Sequence, residues 1–168
     1  ARYGWRHRHD PVFIQSFETW NLKKLRRMTR LRLVQLIKGS GAPYDLAAAG
    51  TRRTYRDLAT PAGLRAIARY ADGVSVATSR ILPTGKGGRL RRPTALVRNA
   101  HRAGLFVHTW TVRPENAHLP AQYRRGGKRA HGDMAGWLRR LFRLGVDGVF
   151  TDHPGIAREA RDRFLAGR

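Results

Sequence analysis

The chain predicts an α/β fold on a parallel sheet. Three observations carry that expectation: five strand-length runs rich in branched and aromatic residues, a helical pattern after each, and short helix-to-strand joins set against long strand-to-helix ones. The runs span residues 12–17, 31–37, 73–77, 105–112 and 146–151. The first helix, 21–28, carries Leu22, Leu25 and Met28 on one face. The second, 61–71, has Thr60 as its cap and Pro61 at the first helical position, where a missing N–H costs nothing. The third, 95–103, lies between Thr94 as cap and Gly104 as terminator. The fourth starts after Asp133, buries Trp137, Leu138, Leu141 and Phe142, and ends at Gly145. The fifth begins near Gly155 and offers Ile156, Ala157, Ala160 and Phe164 on one face. Strict alternation implies parallel strands, because a right-handed crossover helix is the usual link between parallel neighbours.

Residues 38–60, 78–94 and 113–133 form the long strand-to-helix connections, beyond the few residues usual for such loops. In a barrel and in a doubly wound sheet alike they lie at the C-terminal strand ends, where ligands bind. A closed barrel needs eight strand-helix units, and five are present, so residues 1–168 read as one domain with an incomplete cylinder.

Lys and Arg number 34 against 11 Asp and Glu, a formal charge of +23 carried almost wholly by Arg and scattered along the chain. Such a balance attracts nucleic acid, anionic membrane or phosphorylated substrates without choosing between them, and solvated Arg-rich faces are its commoner meaning. The absence of Cys excludes disulfides and Cys-based zinc sites. No apolar run approaches the length of a transmembrane span, and residues 1–10 do not read as a signal peptide.

Few motifs promise chemistry on their own. Gln15-Ser16-Phe17-Glu18 ends the first strand, where polar side chains reach a ligand or merely finish the strand. On the fourth strand, alternation groups Phe106, His108, Trp110 and Val112 opposite Val107, Thr109 and Thr111, and Trp110 is either an apolar wall for a ligand or core. His108 reads as structural more readily than as a catalyst, and Asp152, before His153 and Pro154, as a helix cap more readily than as a group that orients a neighbour or touches a ligand. The basic run 84–92 is not a nucleotide loop, because Lys86 precedes Gly87 where Ser or Thr is needed. The seven His fall at no metal-ligand spacing, and no paired-carboxylate pattern exists.

Six segments in register resemble the glycerophosphodiester phosphodiesterase family, in its periplasmic or secreted bacterial branch. They are Pro11 through Glu18, Arg32 through Ile37, Tyr70 through Gly73, Leu96-Val97 with Ala100 through Leu105, Val107 through Asn116, and Gly145 through Asp152, with Leu119-Pro120 following. The resemblance implies a partial TIM (β/α)8 barrel, about the last five strand-helix units of the domain. It also implies hydrolysis of glycerophosphodiesters to sn-glycerol 3-phosphate and an alcohol, with Ca2+ or Mg2+ as cofactor and a periplasmic or extracellular location. In such chemistry the cation and basic groups neutralise phosphate while two His act as general acid and base.

The family's His-Arg-Gly, His-Asp and Glu-x-Asp motifs do not occur in their places here, and His9-Asp10 stands too close to the first strand to serve. No catalytic residue and no metal ligand is therefore assigned. The resemblance carries over a pocket wall for a small-molecule glycerophosphodiester: Gln15, Ser16 and Phe17 at one strand mouth, Trp110 against glycerol at another. Arg113 and Glu115 match family positions without a role. The expectation is a C-terminal portion that is inactive alone and completed by a missing N-terminal segment or a homodimer. The rival is a noncatalytic basic half-barrel that binds nucleic acid or anionic membrane.

Overall fold

A computed structural model describes residues 3–167. Five strands, β1 (Phe13–Ser16), β2 (Arg32–Ile37), β3 (Gly73–Ala77), β4 (Phe106–Val112) and β5 (Gly148–Thr151), lie in the sheet in chain order. Pairing is parallel between β1 and β2, β2 and β3, and β4 and β5. A doubly wound sheet reverses its strand order at a switch point, whereas a (β/α)8 barrel never does. The unreversed order is that of consecutive units of such a barrel. Seven helices accompany the strands among the described residues: α1 (Thr19–Arg26), α2 (Tyr44–Ala48), α3 (Tyr55–Leu58), α4 (Pro61–Ile67), α5 (Leu96–Arg102), α6 (Met134–Arg143) and α7 (Pro154–Ala166).

The residues form two compact units. The first, Ala1–Val76 with Arg98–Val107, has a buried core that includes Leu33, Val34 and Ile37 of β2, Leu22 of α1, and Leu64 and Ile67 of α4. Asp72, just ahead of β3, ties its parts together. Its carboxylate accepts from the Leu33 N–H (2.9 Å), from Arg26 (3.2 Å) and from Arg8 (3.2 Å), and its carbonyl accepts from the Phe106 N–H (3.2 Å). Gly73 follows because the Phe106 ring lies where a Cβ would stand. Over that gap Phe106 meets Phe13 edge-on, with ring centroids 5.5 Å apart. Three strand spacings would separate β1 from β4 by about 14 Å in a flat sheet, so this contact requires strands that curve toward the shared face, as barrel strands do.

Helix starts follow local chemistry. The Thr60 hydroxyl accepts from the Gly63 N–H (3.1 Å) at the start of α4, as the sequence predicts, although the helix ends at Ile67 and not at 71. α1 begins two residues before the expected position because the Asp45 carboxylate, from the following loop, caps it. That loop, read as irregular, contains α2 and α3. The Thr54/Asp57 pair forms a reciprocal capping box at α3, a signal present in the sequence.

In the second unit, Ala77–Val97 with His108–Arg168, α6 packs on α7 with Leu138 and Leu141 of α6 and Ala157 and Ala160 of α7 buried and Phe142 and Phe164 in ring contact (5.6 Å), while Trp137 meets the Tyr123 ring (5.5 Å). Leu138 is fully buried, so Leu138→Ala costs about 2–5 kcal/mol. The Asp133 carboxylate accepts from the Gly136 N–H (2.7 Å), capping α6 as expected. The basic run 84–92 is a tight turn closed by the Gly85 N–H to the Arg89 carbonyl (2.8 Å), and the Leu90 N–H reaches Gln122 (3.3 Å).

Two expectations fail in this unit. Asp152 does not cap α7: the cap position is His153, and the Asp152 carboxylate pairs with Arg113 (2.7 Å). The alternation of β4 holds only through Trp110. A register shift between Thr109 and Val112 leaves Thr111 exposed and Val112 buried, so Val112 does not continue the Phe106 and Trp110 series.

Candidate functional site

In the first unit the end of β1 turns directly into α1. Gln15 is exposed, and Ser16 and Phe17 are half-buried. The Ser16 hydroxyl accepts from the Glu18 N–H (3.0 Å) and the Asn21 amide (2.8 Å), which fixes the turn and leaves its own proton to donate. Gln35 on β2 supports the same turn from behind. Its amide donates to the Ser16 and Phe17 carbonyls (3.2 and 2.9 Å), and its oxygen accepts from the buried Tyr70 hydroxyl (2.8 Å). The Phe17 ring stands edge-on to Tyr55 (6.2 Å), with the Lys38 ammonium 4.7 Å from its centroid.

Two carboxylates flank this turn and are occupied by backbone donors. Glu18 accepts from the Asp45 N–H (2.6 Å), while Asp45 accepts from the Thr19 N–H (2.8 Å), the Thr19 hydroxyl (2.8 Å) and the Trp20 N–H (2.7 Å). Burial pushes the Asp45 carboxyl up, but the bonds from the Trp20 N–H and from the Thr19 hydroxyl and N–H outweigh it and hold the group below the usual carboxylate range. Burial, followed by the nearby charges of Glu18 and Asp45, raises the Tyr55 phenol. The pair is a structural brace for α1.

In the second unit His108 and Trp110 share one half-exposed face of β4. The His108 ring lies over Gly148, where a side chain would collide with it, and faces Phe150 edge-on at 6.1 Å. Beyond the strand, Arg113, Glu115 and Asn116 open a long loop. Asn116 is 2% exposed and acts as its hub: its amide donates to the carbonyls of Arg125 (2.6 Å) and Gly127 (2.7 Å), and its oxygen accepts from the Arg125 N–H (3.0 Å). Glu115 differs from the carboxylates of the first unit. Its Oε2 is shielded from solvent and has no hydrogen-bond partner. Its carboxyl is lowered first by its own backbone N–H, against the opposing effect of burial, then by the charges of His153, Arg113 and His118. His153 also stacks edge-on with His131 (5.7 Å).

The sequence-assigned residues thus divide, Gln15, Ser16 and Phe17 in one unit and Trp110 in the other. Sequence reasoning found no role for Arg113 or Glu115 and missed the loop hub, although Asn116 closes the Arg-x-Glu-Asn stretch that signals it. His9-Asp10 is a local turn, since the Asp10 carboxylate accepts from the Arg6 and His7 N–H groups (2.6 and 2.7 Å). Among the described residues no three His, Asp or Glu side chains converge to hold a metal ion. The residues present therefore do not fit a complete divalent-cation site.

These features define an α/β domain of the barrel class, its parallel strands following one another in chain order. The chain belongs to the glycerophosphoryl diester phosphodiesterase family, whose model matches residues 1–156. The glycerophosphodiester phosphodiesterase GDPD6 of Arabidopsis thaliana is 32% identical over 146 residues, covering 87% of this chain and 36% of that protein. A glycerophosphodiester phosphodiesterase of Treponema pallidum is 26% identical over 168 residues, covering 92% of this chain and 44% of its own length. Two crystal structures described as glycerophosphoryl diester phosphodiesterases share the fold. The one from Silicibacter pomeroyi aligns with TM-score 0.52 at 24% identity, over 88% of this chain and 37% of its own. The one from Agrobacterium tumefaciens aligns with TM-score 0.53 at 18% identity, over 94% and 47%. The chain spans less than half the length of each of these proteins.

Proposed function

We propose that this chain forms the substrate-wall portion of a glycerophosphodiester-hydrolysing domain and does not carry its acid–base pair. The family match over residues 1–156 supports this reading, as do the positions of Gln15 and Ser16 at the end of β1 and of Trp110 near the end of β4, since barrel domains bind ligands at C-terminal strand ends. Trp110 offers an apolar face to the glycerol carbons, the exposed Gln15 amide donates to oxygen, and the Ser16 hydroxyl retains a proton to donate.

The family is metal-dependent, with Ca2+ or Mg2+ as the expected ion; its ligands and the two His come from polypeptide outside these residues. β1 and β5 are the edges of the sheet, and a preceding segment or a second copy of the chain covers them. Among the described residues no helix is long and apolar enough to cross a membrane. A periplasmic or extracellular location rests on the family resemblance.

The experiment has two arms. Glycerophosphocholine hydrolysis is assayed with Ca2+ and with Mg2+, and sn-glycerol 3-phosphate binding is followed by tryptophan fluorescence. No turnover by the chain is expected, together with saturable product binding that Trp110→Ala weakens at least tenfold. Metal-dependent turnover by the chain overturns the absence of catalytic parts, and lack of product binding overturns the pocket wall. Light scattering distinguishes a dimer from a monomer that awaits another segment.

A further inference from the structure

The first unit contains a cavity of about 390 Å³ whose lining includes residues of α1, α3 and α4 and of the segment between α2 and α3. That is within the roughly 300–1,000 Å³ typical of small-molecule sites. Five cations line it, Lys23, Arg26, Arg27, Arg53 and Arg69, and no carboxylate does. Leu46, Leu58 and Ile67 give it an apolar floor beside Tyr70, whose hydroxyl is committed to Gln35.

The nearby acids are already engaged. Asp72 holds Arg26 and Arg8, Asp45 holds the start of α1, and Asp57 holds Thr54. Arg26 keeps one donor unused, since its shielded Nε has no hydrogen-bond partner. Lys23 lies over the Tyr70 ring at 5.5 Å, and Arg27, Arg53 and Arg69 make no salt bridge among the described residues. Helix dipoles explain cations in the last turn of α1, because helix C-termini attract positive charge. They do not explain Arg53, which stands between α2 and α3 and faces the same cavity. Like charges around one concave surface repel and focus a positive potential into it, a cost that a bound anion relieves.

We propose that this cavity binds a small organic anion carrying two phosphate groups. Each phosphate group carries about −1.5 to −2, so two match the four cations that make no salt bridge among the described residues. The apolar floor takes the organic part. Its lining shares no residue with the proposed pocket wall, and it does not depend on the hydrolase reading.

Isothermal titration with ADP, pyrophosphate and inorganic phosphate at low and moderate salt tests the proposal. ADP is expected to bind one to one, with pyrophosphate at least fivefold weaker and inorganic phosphate weaker still. The pair Arg53→Ser with Arg69→Ser removes two exposed side chains and should weaken ADP at least tenfold, with an unchanged thermal unfolding midpoint. Arg53→Lys with Arg69→Lys should stay within about threefold. The control pair Arg139→Ser with Arg143→Ser removes the same charge from the exposed surface of α6 and should stay within twofold, as should Trp110→Ala. Lack of saturable ADP binding, equal weakening by the control pair, or pyrophosphate binding as tight as ADP overturns the proposal.

Discussion

The two strand mouths treat their polar groups in opposite ways. At the end of β1, Ser16, Glu18, Gln35 and Asp45 answer one another and the backbone, so the turn into α1 is held from several directions. At the mouth of the second unit the scaffold work is concentrated in Asn116, while Glu115 keeps an unpartnered oxygen and Arg113 meets Asp152 in a half-exposed pair. A saturated mouth is a frame, whereas a shielded acceptor left without a donor costs free energy that a ligand can recover. On the reading proposed above, the first mouth holds the Gln15 and Ser16 donors in a rigid frame, and the second keeps an acceptor still open to ligand.

Among the polar groups of the two mouths, the largest effect belongs to Asn116. Its side chain satisfies carbonyls at Arg125 and Gly127 and the N–H of Arg125 from a fully covered position. Asn116→Ala leaves those backbone groups unpaired at about 1–3 kcal/mol each, partly recovered by water, for a net loss of about 3 kcal/mol. Chemical denaturation measures the loss, and hydrogen exchange should speed first in residues 116–131. A loss below about 1 kcal/mol would mean that the loop is held by something other than this side chain.

Much of the scaffold was legible in the sequence because its signals are local. Thr60-Pro61 and Asp133 announce helix starts within one turn, and 73–77 reads as a strand from its own residues. Asp45 capping α1 was not legible, because donor and acceptor lie about 26 positions apart and only the fold joins them. The role of Asp152 was misread for the same reason: local grammar favours a cap before Pro154, and the competing partner, Arg113, comes from another strand. The candidate pocket wall came from family resemblance and not from periodicity, since Trp110 looks the same to a hydrophobic pattern whether it meets core or ligand. The Glu115 environment depends on His153 arriving from beyond β5, which no spacing rule encodes.

Asp45 gives the next effect. Asp45→Ala uncaps α1 and removes the acceptor for two N–H groups and the Thr19 hydroxyl, at about 1–2 kcal/mol. The pH dependence has a definite sign. The folded carboxyl titrates below its ordinary value, near 4 in unfolded chains, so its stabilisation is complete above that value and is lost as pH falls through the lower folded value. Asp45→Asn should therefore differ from the parent at neutral pH and converge with it in acid, read by thermal unfolding at several pH values. A constant difference down to acid pH would assign the effect to packing and not to charge. Product binding should be unchanged if this mouth is a frame.

Arg113→Ala should alter stability least, since its ion pair with Asp152 is half-exposed and such pairs contribute about 0–1 kcal/mol. Its effect belongs to Glu115 and to ligand. Removing the guanidinium takes away one of the charges that lower the Glu115 carboxyl, so that group should titrate closer to its ordinary value while the bond from its own backbone N–H keeps it below. Carbon-detected NMR titration of the Glu115 carboxyl reads this shift, and sn-glycerol 3-phosphate binding should weaken at least threefold in the same variant. If the carboxyl does not move and binding is intact, Arg113 serves only its surface pair, and the contrast between a framing mouth and a ligand-facing mouth fails at the residue where it is sharpest.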